Sequence, residues 1–222
     1  MREALEELIC ELGRRMYARN LVAGADGNLS CRLGADTFLV TRSGVGKGHL
    51  TPADIVVADA TGTKLEGEGK VSSEFFTHLA AYEERPNIQA VVHAHPPVAT
   101  ALTLAGVSLL EPVLPEIVMN MGGIPTCAYA TPGTREGAES IRAHIRQCDT
   151  LLLDRHGALA VGDSLLDAYY KLERLEHAAI TLWHARCLGQ FPVLSEDQVA
   201  RIHAAGEGYG VKAKLWGAPP AP

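Results

Sequence analysis

The sequence predicts an α/β sandwich with a central, largely antiparallel sheet. Two observations carry this expectation. Short runs rich in β-branched residues, such as FLVT (38–41) and DIVVAD (54–59), mix with longer amphipathic stretches. They lack the regular strand–helix rhythm of a doubly wound parallel fold. The chain of 222 residues is also of single-domain length and contains no internal repeat or evident boundary.

From the N-terminus, Leu5, Leu8, Ile9, Leu12 and Met16 recur at helical spacing and predict an amphipathic helix over 3–19. AGADGNLS, rich in glycine and asparagine, reads as a loop or tight turn entering a strand. Strands follow at 38–41 and 54–59, separated by RSGVGKGHLTP, which is too glycine-rich to be regular. TGTKLEGEGKVSS reads as a polar connection that turns at Ala60-Thr61-Gly62. Phe75, Phe76, Leu79, Ala80 and Tyr82 predict a helix from Ser73 to about Glu84, stopped by Arg85-Pro86. AVVHAH (90–95) is a strand ending at Pro96-Pro97, and 98–105 reads as a short helix. Residues 106–133 are broken by proline and glycine, with one strand expected near Thr126–Tyr129, and 134–147 looks helical. TLLLD (150–154) and ALAVG (158–162) flank Arg155-His156-Gly157 as a hairpin. Ser164 caps a long helix to about Leu188, and Ser195-Glu196-Asp197-Gln198 has the capping-box spacing that opens a last one. The domain is expected to span 1–210, with 211–222 a frayed tail ending in GAPPAP.

Composition narrows the function. Hydrophobic residues make up 47% and charged residues 21%, an ordinary globular balance, and no run approaches the ~20 apolar residues of a membrane span. The charge of −6 argues against a nucleic-acid partner. The charged N-terminus has no signal-peptide core. Five scattered cysteines without a CxxC fit reduced thiols, so a cytoplasmic location is expected.

Nine histidines make their placement informative. His93 and His95 are two apart on a predicted strand, so alternation sends both to one face, roughly 6–7 Å apart along the backbone. That spacing suits one metal ion, though it equally suits a polar edge face. His156 sits beside a glycine in the predicted hairpin turn, where an imidazole can project from the sheet end. Three imidazoles would leave a coordination position for substrate. The other histidines read as packing residues: His144, His177, His184 and His203 on helices, His49 in a loop, His78 within the 73–84 helix. A second set is Asn28, Ser43, Gly44, Ser72 and Ser73. Loop hydroxyls and glycine amides are what a phosphate monoester needs, although on local sequence alone Ser73 reads better as a helix cap. Glu74 suits the helix dipole there, and becomes a proton carrier if that helix start faces the metal.

Together GNLS (27–30), TRSG (41–44), SSE (72–74), HAH (93–95), YATPGT (129–134) and DRHGALAVG (154–162) resemble the class II aldolase/adducin family, in order and in register from about residue 3 to 210. The pattern is nearest to its L-fuculose-phosphate aldolase branch. The resemblance implies a three-layer α/β/α sandwich assembled as a homotetramer. It implies a divalent cation, Zn²⁺ with Mn²⁺ or Co²⁺ as replacements, on His93, His95 and His156. By the same resemblance, Asn28, Ser43, Gly44, Ser72 and Ser73 hold the substrate phosphate, Glu74 is the acid/base, and Tyr209 of Tyr209-Gly210 covers the site and helps protonate the aldehyde. The implied reaction is retro-aldol cleavage of a ketose 1-phosphate to dihydroxyacetone phosphate and an aldehyde. No Schiff-base lysine is needed, so Lys47, Lys64, Lys70 and Lys171 are expected at the surface. Arg42 departs from the branch pattern, as does the lack of a tyrosine between Glu111 and Met121. A 4-epimerase, dehydratase or decarboxylase of the same family is the first alternative, with the SSE triplet favouring an aldolase over the epimerase. A non-catalytic adducin-like binding domain is the second.

Overall fold

The computed structural model describes residues 2–208, so the expectations for Tyr209 and the tail fall outside the described residues. Its strands are β1 (Asn28–Arg32), β2 (Thr37–Thr41), β3 (Ile55–Asp59), β4 (Lys64–Glu66), β5 (Ala90–Ala94), β6 (Thr126–Cys127), β7 (Thr150–Leu153) and β8 (Gly157–Gly162). They form one sheet in the order β4-β3-β2-β1-β5-β8-β7-β6. Every described pairing is antiparallel except β6 with β7.

Alternation along the strands divides the core in two. Phe38, Val40, Val56, Val91, Leu159 and Val161 point to one face, covered by α2 (Phe75–Glu84) and α5 (Arg135–Ile145). Leu29, Leu39, Val57, Val92 and Ala160 point to the other, covered by α1 (Arg2–Ala18), α3 (Pro97–Leu104) and α6 (Leu165–Leu188). The result is the expected α/β/α sandwich. Helix α1 docks through the buried Ile9, Leu12 and Met16. Burying each contributes ~1.5–3 kcal/mol, against ~0.2–0.5 kcal/mol for an i,i+4 pair such as Arg2–Glu6, so packing decides that this helix forms. The caps behave as read: Ser164 Oγ accepts from Asp167 N at 3.1 Å, and Ser195 and Gln198 bond reciprocally ahead of α7 (Glu196–Gly208).

The structure departs from the expectations in four places. The polar connection after Asp59 contains β4, whose residues are all exposed, so it lacks the apolar signature of a strand. The broken stretch 106–133 contains a short α4 (Pro115–Asn120), opened by Pro115 at its first position, where a missing N–H costs nothing. Helix α2 begins at Phe75 rather than Ser73. Lys47 is 1% exposed, and Lys171 is held in ion pairs with Asp149 and Asp167. Neither is the surface lysine expected. Among the described residues no helix is long and apolar enough to cross a membrane.

Candidate active site

Three imidazoles meet at the end of β5. His93 is the penultimate residue of that strand and His95 follows it, anchored by its backbone N–H on Leu21 O. His156 comes from the β7–β8 turn, where Arg155 takes a left-handed φ of 57°. The turn can approach because residue 157 is glycine: a Cβ there would lie 2.2 Å from Ala94 O and 3.0 Å from His95 Cδ2. The ring centroids stand 4.8–4.9 Å apart, and one nitrogen from each ring lies within 4.8 Å of the others. Gly157→Ala is therefore expected to cost ~1–3 kcal/mol, the usual penalty of overpacking, and to spread the cluster. Melting temperature and metal content measure this, and an unchanged value of both would contradict it.

The cluster fits a metal ion. Nδ1 of the fully buried His93 donates to Ala158 O at 2.9 Å, which leaves its Nε2 as a bare lone pair. His95 Nδ1 faces Asp26 Oδ2 at 3.6 Å, and its Nε2 lies 3.1 Å from that of His93. Two lone pairs at that separation repel unless a cation or a shared proton sits beside them. Tetrahedral Zn²⁺ with ~2.0–2.1 Å bonds sets its nitrogens about 3.3 Å apart. Burial, followed by His95 and His156, holds His93 well below the usual imidazole range. Burial likewise lowers His95, with Asp26 opposing, and takes His156 down to about 4. All three are neutral at pH 7, the form a metal needs.

The phosphate set lies beside them. Asn28 is directly opposite His93 in the β1–β5 pairing. Gly27, at φ 73°, turns the chain where a Cβ would meet His93 O at 2.9 Å. Ser43 and Ser72, far apart in sequence, are joined by the Arg42–Val71 bridge and by Ser43 N donating to Lys70 O at 2.8 Å. The chain reaches that bridge by returning through β4. Gly44 takes φ 77° with open space where a Cβ would be. Asn28 Oδ1 is buried without a partner, consistent with a ligand group completing its bonding.

Glu74 stands at the α2 N-cap position but makes no side-chain cap bond. Its carboxylate instead accepts from the Gly133 N–H, and burial raises its pKa against that hydrogen bond. One cavity of ≈ 230 Å³ is lined by Asn28, Ser43, Gly44, Ser72, Ser73, Glu74, His93, His95 and His156 together. Asp26, which the sequence does not single out, and Lys47, expected at the surface, line it too. Their only sequence signal is a charged side chain set among glycines, in GADGN and GKG. Arg42 is tied to Asp54 at 2.7 and 2.9 Å. A roomier cleft of ≈ 510 Å³ runs along α6 at Tyr170, Glu173 and His177. Its buried carboxylate, Glu176, already accepts from Val98 N and Ala99 N.

Comparison with known proteins finds relatives in both sequence and fold. The 3-oxo-tetronate 4-phosphate decarboxylase of Haemophilus influenzae is 37% identical over 180 residues, 79% of this chain and 85% of the relative. The L-fuculose phosphate aldolase of Escherichia coli is 32% identical over 214 residues, 95% of this chain and 98% of the relative. A solved L-fuculose 1-phosphate aldolase superposes with a TM-score of 0.84 at 29% identity, covering 93% of this chain and 96% of its own. Residues 7–183 match the family described as Class II Aldolase and Adducin N-terminal domain, and with these relatives and the shared fold in agreement, the chain belongs to that family.

Proposed function

We propose that the protein is a metal-dependent lyase that breaks a carbon–carbon bond of a phosphorylated sugar and leaves the enediolate of dihydroxyacetone phosphate. The carrying observation is the single cavity that joins three neutral imidazoles, a carboxyl of raised pKa, and loops of hydroxyls and glycine amides. His93, His95 and His156 would hold the cation, Zn²⁺ or in its place Mn²⁺ or Co²⁺. When bound, it supplies Lewis-acid stabilisation of charge developing on the substrate oxygens. Asn28, Ser43, Gly44, Ser72 and Ser73 bind the phosphate and fix the reacting carbons by remote binding energy. Glu74, whose burial brings its protonated form closer to neutral pH, carries a proton to and from carbon.

In the aldolase reading, the C3–C4 bond of a ketose 1-phosphate breaks and its electron pair enters the enediolate. The C4 hydroxyl proton leaves as the aldehyde forms, a transfer this reading gives to Tyr209. Glu74 then protonates C3. The decarboxylase reading draws on the Haemophilus influenzae relative. There the bond to the carboxylate of a 3-oxo acid breaks, CO₂ departs, and the electron pair enters the same enediolate. Glu74 again protonates carbon, and no hydroxyl proton has to be taken up. Both readings use the described residues identically. They extend to a cytoplasmic homotetramer whose partner is the phosphorylated sugar, and sedimentation of the purified protein tests the tetramer.

The deciding experiment incubates zinc-loaded protein with a panel of ketose 1-phosphates and with 3-oxo-tetronate 4-phosphate, following dihydroxyacetone phosphate and CO₂. Dihydroxyacetone phosphate without CO₂ is the aldolase result; equimolar CO₂ is the decarboxylase result. A protein that binds no metal and releases neither product would be an adducin-like binding domain instead.

A further inference from the structure

Lys47 is nearly inaccessible, yet nothing in the reaction above requires a lysine. It opens a 3₁₀ turn, Lys47–His49, pressed onto α1. A Cβ on Gly13 of that helix would lie 2.7 Å from the Lys47 carbonyl oxygen, so the turn packs directly on the helix backbone. The ammonium donates to Ala25 O at 2.8 Å and Val45 O at 2.6 Å. Those carbonyls belong to the two loops that carry Gly27-Asn28 and Ser43-Gly44. An ammonium has three donors, so one remains.

Its charge is answered only at a distance. Asp26 acts on it through space, without a hydrogen bond. The other strong cation lining the cavity, Arg42, is already paired with Asp54. Asn28, Ser43, Gly44, Ser72 and Ser73 are all neutral, whereas a phosphate monoester carries close to two negative charges at pH 7. A buried charge without a contacting counter-ion is costly, and so is a dianion met only by neutral donors.

We propose that Lys47 is the counter-charge of the substrate phosphate, clamping the two loops with two of its N–H groups and presenting the third, with its charge, to the dianion. Lys47 thereby makes the site selective for a phosphate ester over a monoanionic ester of the same shape. Burial lowers its pKa to about 8, so it remains mostly protonated at pH 7. This inference rests on the sugar-phosphate reading of the cavity.

The test titrates dihydroxyacetone phosphate and dihydroxyacetone sulfate into zinc-loaded wild type, Lys47→Gln and Lys47→Arg by calorimetry. Glutamine keeps amide donors for the two carbonyls and removes the charge. It should weaken the phosphate ester by ~10–100-fold, the range of a charged hydrogen bond, and the sulfate ester by far less. Arginine should keep most of the preference. Equal weakening of both esters would make Lys47 a structural clamp only and overturn the proposal, as would an unchanged Lys47→Gln. Wild type that binds neither ester would overturn the sugar-phosphate reading and this proposal with it, whereas wild type that binds both alike would overturn this proposal alone. Should Lys47→Gln fail to fold, the ¹⁵Nζ resonance of Lys47 in the wild type decides. It should shift on adding dihydroxyacetone phosphate and not on adding dihydroxyacetone; a resonance that ignores both overturns the proposal.

Discussion

His156→Ala is expected to strip the purified protein of most of its bound metal and to abolish carbon–carbon cleavage. The remaining His93 and His95 are two ligands from one strand end, and two imidazoles do not close a site that holds three and leaves one position for substrate. Replacing an outer partner of a metal ligand typically lowers affinity by 10–100-fold. Losing a ligand itself should exceed that, whereas Asp26→Asn, which touches His95 only at 3.6 Å, should fall within or below it. Metal analysis after dialysis against a weak chelator separates the two variants. Because the turn is fixed by Arg155 and Gly157 rather than by the imidazole, the fold should survive. A His156→Ala protein that keeps full metal and full turnover would remove the ground for the metal reading.

Acid should act on the same cluster with a definite sign. In the unfolded chain an imidazole takes up a proton near pH 6.5, but His156 does so in the folded metal-free protein only near 4. The unfolded state therefore binds more protons between those values, and the folded state loses stability as pH falls from about 6.5 toward 4. Above 6.5 this contribution is fully present. Metal-free protein should show the decline in melting temperature, and His156→Ala should flatten part of it.

How much of this could be read before any coordinates depended on where the signal lay in the chain. The β-branched apolar runs FLVT and AVVHAH, the 3.6-residue period of α1 and the Ser164 cap are local patterns backed by large burial terms, so those elements form where they are read. The HxH pair is equally local, since His93 lies in β5 and His95 directly follows that strand. β4 escaped because its exposed Lys64-Leu65-Glu66 owes its existence to pairing with β3, a neighbour the local pattern does not contain. That omission hid why Ser72-Ser73 meets Ser43-Gly44: the return through β4 and the Arg42–Val71 bridge are long-range events. Lys47 was misjudged for a related reason. Lysine is ordinarily exposed, and only the packing of α1 against the 46–50 loop, at Gly13 and at Gly48 under Tyr17, encloses it. The start of α2 slipped by two residues because Ser72 and Ser73 have the chemistry of caps, yet the turn that precedes Phe75 runs Ser72 O to Phe75 N instead.

Glu74→Gln is expected to leave fold and metal content nearly intact while lowering kcat by roughly 10²–10⁴-fold, the usual contribution of general acid–base catalysis. Two explanations compete for this carboxylate. At the start of α2 it could merely answer the helix dipole, worth ~0.3–1 kcal/mol of stability. The geometry weighs against that role: Glu74 makes no side-chain cap bond, and its oxygen is turned to the Gly133 N–H, where a Cβ would come within 3.5 Å of Oε1. A carboxylate serving the dipole would have no reason to be buried, and burial is the first cause of its raised pKa. Glutamine keeps the shape and an oxygen to accept from Gly133, but it carries no exchangeable acid proton. The decisive measurement is exchange of a C–H proton of dihydroxyacetone phosphate with deuterated solvent, a half-reaction that needs neither an aldehyde nor CO₂. It reports on Glu74 whichever carbon–carbon bond the full reaction breaks. Exchange should slow with kcat. A variant that loses a degree or two of melting temperature while exchanging that proton at the wild-type rate would return Glu74 to a helix-end carboxylate, and the proton would have to be carried by another group in the cavity.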